Sequence, residues 1–128
     1  MPVIDVGMSY EDAEEMSKYK PAPENDYKLQ VRSVGSHKSE KGNTVMEVEM
    51  VIIENPEVGS KVIRDNPTVG FRSWTDFCKA TGYKWEGRGI VTEELVGLTV
   101  GAHVGLRTYK DKNGEDQTVN QVVKYFAV

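Results

Sequence analysis

Basic and aromatic residues recur in this sequence at positions where a single-stranded nucleic acid could use them. Such a ligand needs cations for its phosphates and flat rings on which its bases can stack. Alternating patterns place several of these residues on the outer faces of predicted strands, and the others fall in the loops. The candidate contacts are Lys28, Arg32, His37, Lys38, Lys41, Trp85, Arg88, Arg107, Tyr109, Lys110 and Lys112.

Two roles can be separated within this set. Tyr109 lies on the outer face of an alternating segment and Trp85 lies in an aromatic and basic loop, so these are the rings expected to stack on bases. The cations expected to contact phosphates are Arg32, Lys38, Lys41, Arg107 and Lys110.

The same residues also allow interpretations without a ligand. Glu47 and Glu49 lie opposite the first strand, where they can pair with Arg32 and Lys28 as exposed cross-strand neighbours do. Pairing of this kind leaves the middle of the face neutral and only the loops positive. Lysine-rich loops can serve solubility alone, so both interpretations stay open.

The role of Trp85 and of two glycines is equally open. Trp85 either stacks on a base or joins a core with Trp74 and Phe77, which fall on one apolar stripe of a predicted helix. Gly101 and Gly105 share a strand face; they either let a base or another backbone come close or allow the sheet to bend.

Catalysis has little support in the residue patterns. The chain contains no phosphate-binding loop of the G-x-x-x-x-G-K-[ST] type and no G-x-S-x-G nucleophile motif. His37 and His103 are far apart in sequence and no metal-ligand spacing accompanies them. Cys78 shares a helix face with apolar rings, which favours a buried, inert thiol over a nucleophile. We therefore expect a non-enzymatic protein with no metal and no cofactor.

The charge of the chain is unevenly distributed. The 128 residues carry a formal net charge of −4. Residues 1–26 hold seven acids against two lysines, whereas residues 27–128 hold thirteen acids against fourteen bases. The body is therefore close to neutral and has room for a local basic stripe, which the overall acidity does not exclude.

Cysteine usage and hydropathy indicate the compartment. A single cysteine excludes an internal disulfide and suits a reducing compartment. No apolar run approaches the ~18 residues of a bilayer span, and the first residues lack the pattern of a signal peptide. We expect a cytoplasmic protein without membrane contact.

Hydrophobic periodicity predicts five strands and one helix. Residues 44–54 alternate over an unusually long stretch, and residues 27–34 alternate before a polar, glycine-bounded loop. Phe71, Trp74, Phe77 and Cys78 fall at helical spacing, and Gly82 stands where a C-terminal cap belongs. The predicted strands are 27–34, 44–54, 61–65, 99–109 and 117–128, the predicted helix is 71–81, and a further helical turn is expected at 92–96.

This order predicts a mainly β fold, a five-stranded Greek-key OB-fold barrel with one helix between strands three and four. The alternative is an open two-layer α+β domain built from the same strands. The predicted barrel domain is 27–128. Residues 1–26 are predicted to form an acidic N-terminal arm, helical or irregular, with an apolar stripe made by Tyr10, Ala13, Met16 and Tyr19. Such an arm packs on the barrel, frays, or shields a basic groove.

Four short motifs, in this order, carry a resemblance to a known family. They are Tyr19-Lys-Pro-Ala-Pro followed by Tyr27-Lys-Leu-Gln-Val, the loop Lys38-Ser-Glu-Lys-Gly42, the helix end Lys79-Ala-Thr-Gly82, and Glu94-Leu-Val-Gly97. Across residues 19–126 the chain resembles small bacteriophage single-stranded DNA-binding proteins of OB-fold type, many of them known only as uncharacterised phage proteins.

The resemblance implies a protein that coats exposed single-stranded DNA during phage DNA replication or recombination, in the cytoplasm of the host bacterium. It also implies other replication proteins as partners. The sequence ends Val-Lys-Tyr-Phe-Ala-Val, without the flexible acidic tail by which many such proteins recruit enzymes. The rival expectation is a protein-interaction or structural accessory module on the same barrel, and exposed strand edges would also permit a homodimer.

Overall fold

A computed structural model describes residues 3–11 and 21–128 of the chain. The elements are β1 (Asn25–Lys38), β2 (Thr44–Ile53), β3 (Val62–Asp65), α1 (Arg72–Thr81), β4 (Thr99–Lys110) and β5 (Asp116–Phe126), with a 3₁₀ turn at Thr92–Glu94. The strands form one antiparallel sheet in the order β3-β2-β1-β4-β5. The predicted element order, with a single helix between strands three and four, is confirmed.

The long first hairpin owes its register to the alternation of β2. Met46, Val48, Met50 and Ile52 are buried, and the residues between them point outward, where they are less buried. β1 runs four residues past its predicted end, because Gly35 pairs with Glu47 and the ladder continues to the end of β1. The connecting loop is therefore only residues 39–43.

A β-bulge bends β1 in the middle. The register shifts between Val31 and Ser33, which leaves Arg32 without a cross-strand partner in the ladder. Val31 instead exchanges backbone hydrogen bonds with the segment before β4, donating to Leu98 and accepting from Gly97, each at 2.8 Å. Extra twist at such bulges lets a sheet curve around its own core.

Helix α1 packs its aromatic stripe against the end of β5. Trp74 and Phe77 are buried and stack with ring centroids 5.2 Å apart. Phe77 meets the ring of Tyr125 edge-on at the same separation. Gly82 ends the helix in the left-handed conformation at φ 79° and donates its N–H to the carbonyl of Cys78. The predicted C-terminal cap is confirmed.

The two edge strands approach each other at one point. The Tyr125 hydroxyl of β5 donates a 2.6 Å hydrogen bond to Asp65 at the end of β3. Burial raises the pKa of Asp65 despite this bond, and burial raises the pKa of Tyr125 as well. Within the ladders described, β3 and β5 do not pair, so the sheet is open between them. The sheet thus curls far enough for its edges to touch at one end.

The residues just before β1 are part of the folded body. Ala22 is fully buried, and the Asn120 side chain of β5 binds both its backbone N–H and its carbonyl, at 2.9 and 2.8 Å. The Tyr27 hydroxyl donates to the carbonyl of Pro23 at 2.6 Å. Residues 3–11 are exposed, and most of the predicted apolar stripe of the arm lies outside the described residues.

No helix in the described part of the chain is both long enough and apolar enough to cross a bilayer.

Candidate nucleic-acid interface

The outer face of β1 and β2 is a surface of matched charges. Arg32 bonds Glu49, one of the two glutamates that the sequence alternative offered as partners, whereas Lys28 bonds Glu54, the residue directly after β2. The pairs are Lys28 with Glu54 at 3.1 Å, Arg32 with Glu49 at 3.2 Å and His37 with Glu47 at 3.1 Å. Exposed pairs stabilise a fold little, but they cancel the field that would attract a phosphate.

The loop of the first hairpin presents one lysine to solvent. Lys38 donates to the Thr44 hydroxyl at 2.7 Å across the last pair of the ladder. Lys41 is exposed at the tip, where Gly42 takes a φ of 82°. Lys41 makes no ion pair with any residue in the ranges 3–11 and 21–128.

The second hairpin carries the clearest aromatic and cationic pair. The Arg107 guanidinium lies 5.8 Å from the centroid of the Tyr109 ring, and Tyr109 is 44 % exposed. A cation held over a ring face in this way orients both side chains. Lys110 ends β4 and Lys112 lies in the following loop, and both are exposed.

The Asp111 carboxylate makes hydrogen bonds within and beside that same loop. Its carboxylate accepts hydrogen bonds from the backbone N–H groups of Glu115 and Asn113 and from the Gln117 side chain. These bonds, the one from Glu115 first, lower the pKa of Asp111. The carboxylate therefore shapes the turn, and the neighbouring lysines are left to project outward.

A cleft of about 1110 Å³ separates β3 from the second hairpin. Its lining residues are Pro21, Lys61, Val62, Ile63, Arg64, Tyr109, Gln117, Thr118, Val119 and Asn120. Among the described residues that line it there are cations, a ring and amides, but no carboxylate. Its volume is close to the upper end of the ~300–1,000 Å³ range of ligand sites.

Sequence reasoning missed Arg64 and Lys61. β3 is only four residues long, too short for an alternating pattern to reveal its faces. The signal available was Ile63: once this residue is assigned to the core, its neighbour Arg64 must point outward.

Trp85 and Arg88 lie apart from this cleft. Trp85 is 37 % exposed and lines a separate pocket of about 550 Å³ with Cys78 and Tyr83, which shares no lining residue with the cleft. Burial raises the pKa of the Cys78 thiol to about 11, so it stays protonated and unreactive at neutral pH. Arg88 is exposed in the loop after Trp85. The described structure thus places Trp85 and Tyr109 in different depressions.

The bare backbone at Gly101 is covered by the protein itself. A Cβ at this position would lie 2.1 Å from the Phe126 ring, and one at Gly105 would lie 3.3 Å from Val123. β5 therefore occupies the space that the sequence analysis left open to a ligand.

His103 is held by two carboxylates at the start of β1. Its Nδ1 bonds Asp26 at 2.7 Å and its Nε2 bonds Glu24 at 3.1 Å. The hydrogen bond to Asp26, followed by that to Glu24, raises the pKa of His103. No cluster of His, Cys, Asp and Glu suited to a metal ion occurs in the described ranges.

Comparison with known proteins adds no relative. No protein-family model matches the chain, and a search of curated proteins finds no significant match.

Proposed function

We propose that this protein binds single-stranded DNA, with little dependence on base sequence, in the cleft between β3 and the β4–β5 hairpin. The observation that carries the proposal is the lining of that cleft. It combines Arg64 on one side with Tyr109 on the other, and no carboxylate of the described chain lines it. These are the groups that phosphates and bases require.

The proposal includes a Greek-key OB-fold barrel as the scaffold. β1 pairs with both β2 and β4, and α1 follows β3 and precedes β4 in the chain. The hydrogen bond from Tyr125 to Asp65 links β5 to β3. OB-folds bind oligonucleotides beside strands two and three, between the first and last hairpin loops. Here those loops are residues 39–43 and 111–115, which present Lys41 and Lys112.

Each side chain has a distinct role in this arrangement. Tyr109 stacks on a base with one face of its ring. The Arg107 guanidinium lies over the other face and keeps the ring oriented. Arg64 contacts a phosphate on the β3 side, and Lys41, Lys110 and Lys112 attract the backbone at the two ends. The protein is not an enzyme in this proposal. It coats exposed strands during phage DNA replication or recombination in the host cytoplasm.

A second candidate function is a protein-interaction module in a replication complex. It is favoured by the Trp85 pocket, which is separate from the cleft and leaves an indole partly exposed. Partner capture without any oligonucleotide binding would support this candidate over the first.

Fluorescence anisotropy with a labelled thymidine oligonucleotide tests the proposal. The oligonucleotide should be longer than the ~4–16 nucleotides that an OB-fold covers. We expect binding that weakens steeply with salt, because phosphate contacts release counterions. Tyr109→Ala should lose ~1–3 kcal/mol, about 5- to 150-fold in affinity.

The matched control is Tyr10→Ala, which removes an exposed tyrosine outside the folded sheet. Its affinity should equal that of the unmodified protein. A weak, salt-insensitive signal, or equal losses in the two tyrosine variants, would contradict the proposal. Duplex DNA and RNA of the same length, measured in parallel, define the preferred nucleic acid.

A further inference from the structure

Glu49 connects the neutral outer face with the cleft. Its Oε1 lies 3.2 Å from Nε of Arg32 on β1, and its Oε2 lies 3.3 Å from Nε of Arg64 on β3. Both arginines therefore share one carboxylate, each through a different oxygen. Arg64 is opposite Glu49 in the ladder, and the β1 bulge brings Arg32 to the same place.

Exposure distinguishes the three side chains. Glu49 is 22 % exposed, whereas the side chains of Arg32 and Arg64 are 58 % and 73 % exposed. A half-buried carboxylate needs compensating charge, so it keeps the arginines close. The guanidinium groups face solvent and have several further N–H donors, which a phosphate can use.

Arg64 is the member that matters for the cleft. It lines the cleft on one side and a depression of about 330 Å³ beside Ser33 and Glu47 on the other. Any phosphate that reaches Arg64 from the cleft must share it with Glu49. The carboxylate also cancels one of the two positive charges at this point.

We infer that Glu49 limits the affinity of the cleft for the phosphates of single-stranded DNA by holding Arg64, together with Arg32, on a shared carboxylate. This inference rests on the proposed function. Glu49 is a positioning residue that weakens binding, and a protein that must leave the strand for later enzymes benefits from such a limit.

The test compares two substitutions that remove the same charge. Glu49→Gln and Glu47→Gln both delete one negative charge from the outer face of β2, two residues apart, but Glu47 holds a histidine and no arginine. We expect Glu49→Gln to raise affinity about tenfold at ~50 mM salt. We also expect the slope of log K against the logarithm of the salt concentration to become steeper by about 0.7. Glu47→Gln should change affinity less than about threefold and leave the slope unchanged.

Two further variants complete the design. Arg64→Ala in the Glu49→Gln background should remove the gain. In the unmodified background, Arg64→Ala should lower affinity less than Arg107→Ala, because the Arg107 guanidinium contacts a tyrosine ring and no carboxylate of the described chain. This comparison does not depend on the folding of a Glu49 variant. Thermal melts check that each variant is folded.

The outcomes separate the inference from the proposed function. If the protein binds DNA through Tyr109 but Glu49→Gln matches Glu47→Gln or weakens binding, the inference is wrong and the proposed function stands. The inference is also overturned if Arg64→Ala costs as much as Arg107→Ala. If neither the unmodified protein nor Glu49→Gln binds the thymidine oligonucleotide, both are wrong.

Discussion

The outer face of β1–β2 and the cleft beside β3 contain the same kinds of side chain but differ in what those side chains contact. On the outer face, Lys28, Arg32 and His37 each bond a glutamate of β2 or its end. At the second hairpin, Arg107 lies over a tyrosine ring. The difference follows from Glu47 and Glu49 at two outward positions of β2 and from Glu54 directly after it.

This comparison teaches that cations on a strand face do not by themselves make a nucleic-acid site. The pairing of neighbours on the same face decides how much charge is left for a phosphate. The short strand β3 supplies one cation, Arg64, to a cleft whose described lining residues include no carboxylate, although Glu49 beside the cleft bonds the same guanidinium.

The largest expected effect comes from making the cleft resemble the outer face. Thr118→Glu places a carboxylate in the cleft lining. Like charges brought together cost several kcal/mol, so we expect an affinity loss of at least about tenfold at low salt. Oligonucleotide titration measures the loss, and circular dichroism checks the fold.

The control for this substitution is Gln30→Glu, an exposed position on the outer face of β1 opposite Val51, which lines neither the cleft nor the depression beside Arg64. It adds the same charge outside the cleft and should change affinity much less. Equal losses in both variants would show that the comparison between the two regions has no functional meaning.

A smaller effect is expected from removing single lysines in the two regions. Lys110→Ala removes an exposed cation at the end of β4, and the salt slope should become shallower by about 0.7. Lys28→Ala removes a cation already bonded to Glu54, so the slope should stay the same. A larger change for Lys28 than for Lys110 would reverse the assignment of the two regions.

The smallest effect on binding is expected at His103, which belongs to neither region. Because its folded-state pKa is raised by Asp26 and Glu24, protonation stabilises the fold. This contribution is fully present below the ordinary histidine pKa of ~6.5 and is lost as pH rises through the higher folded-state value.

His103→Gln should therefore lower the melting temperature more at about pH 5.5 than at about pH 8.5, values on either side of the ordinary pKa of ~6.5. DNA affinity should not change, because His103 does not line the cleft. A melting-temperature difference that is the same at both pH values would contradict the assigned role of the two carboxylates.

Alternation and turn chemistry made most of the secondary structure predictable. The buried residues of β2, the helix with its Gly82 cap and the order of elements all follow from local patterns. The end of β1 was not predictable in this way, since Gly35 and the polar residues after it are strand only because β2 pairs with them. Asn113-Gly114 in the turn after β4 is a residue pair that favours tight hairpin turns, and only Gly114 of the pair takes a positive φ.

The candidate site was predictable only in part. The residues of the second hairpin were identified because a face of β4 can be read from its alternation. Arg64 was not, and its position on the cleft depends on the approach of β3 to β5, which the Tyr125–Asp65 bond marks. The partners of Lys28, Arg32 and His37 depended on register, which a bulge at Arg32 shifts by one residue.

The amino-acid sequence by itself determined the helix and most of each strand, because side-chain periodicity and caps act over a few neighbours. It also determined which side chains have the chemistry to meet phosphates and bases. Only the tertiary structure decided which of those charges are cancelled and which are brought together across a cleft. The curvature of the sheet and the register of its strands set distances between residues far apart in the chain, and a charge acts on whatever lies within a few ångströms of it.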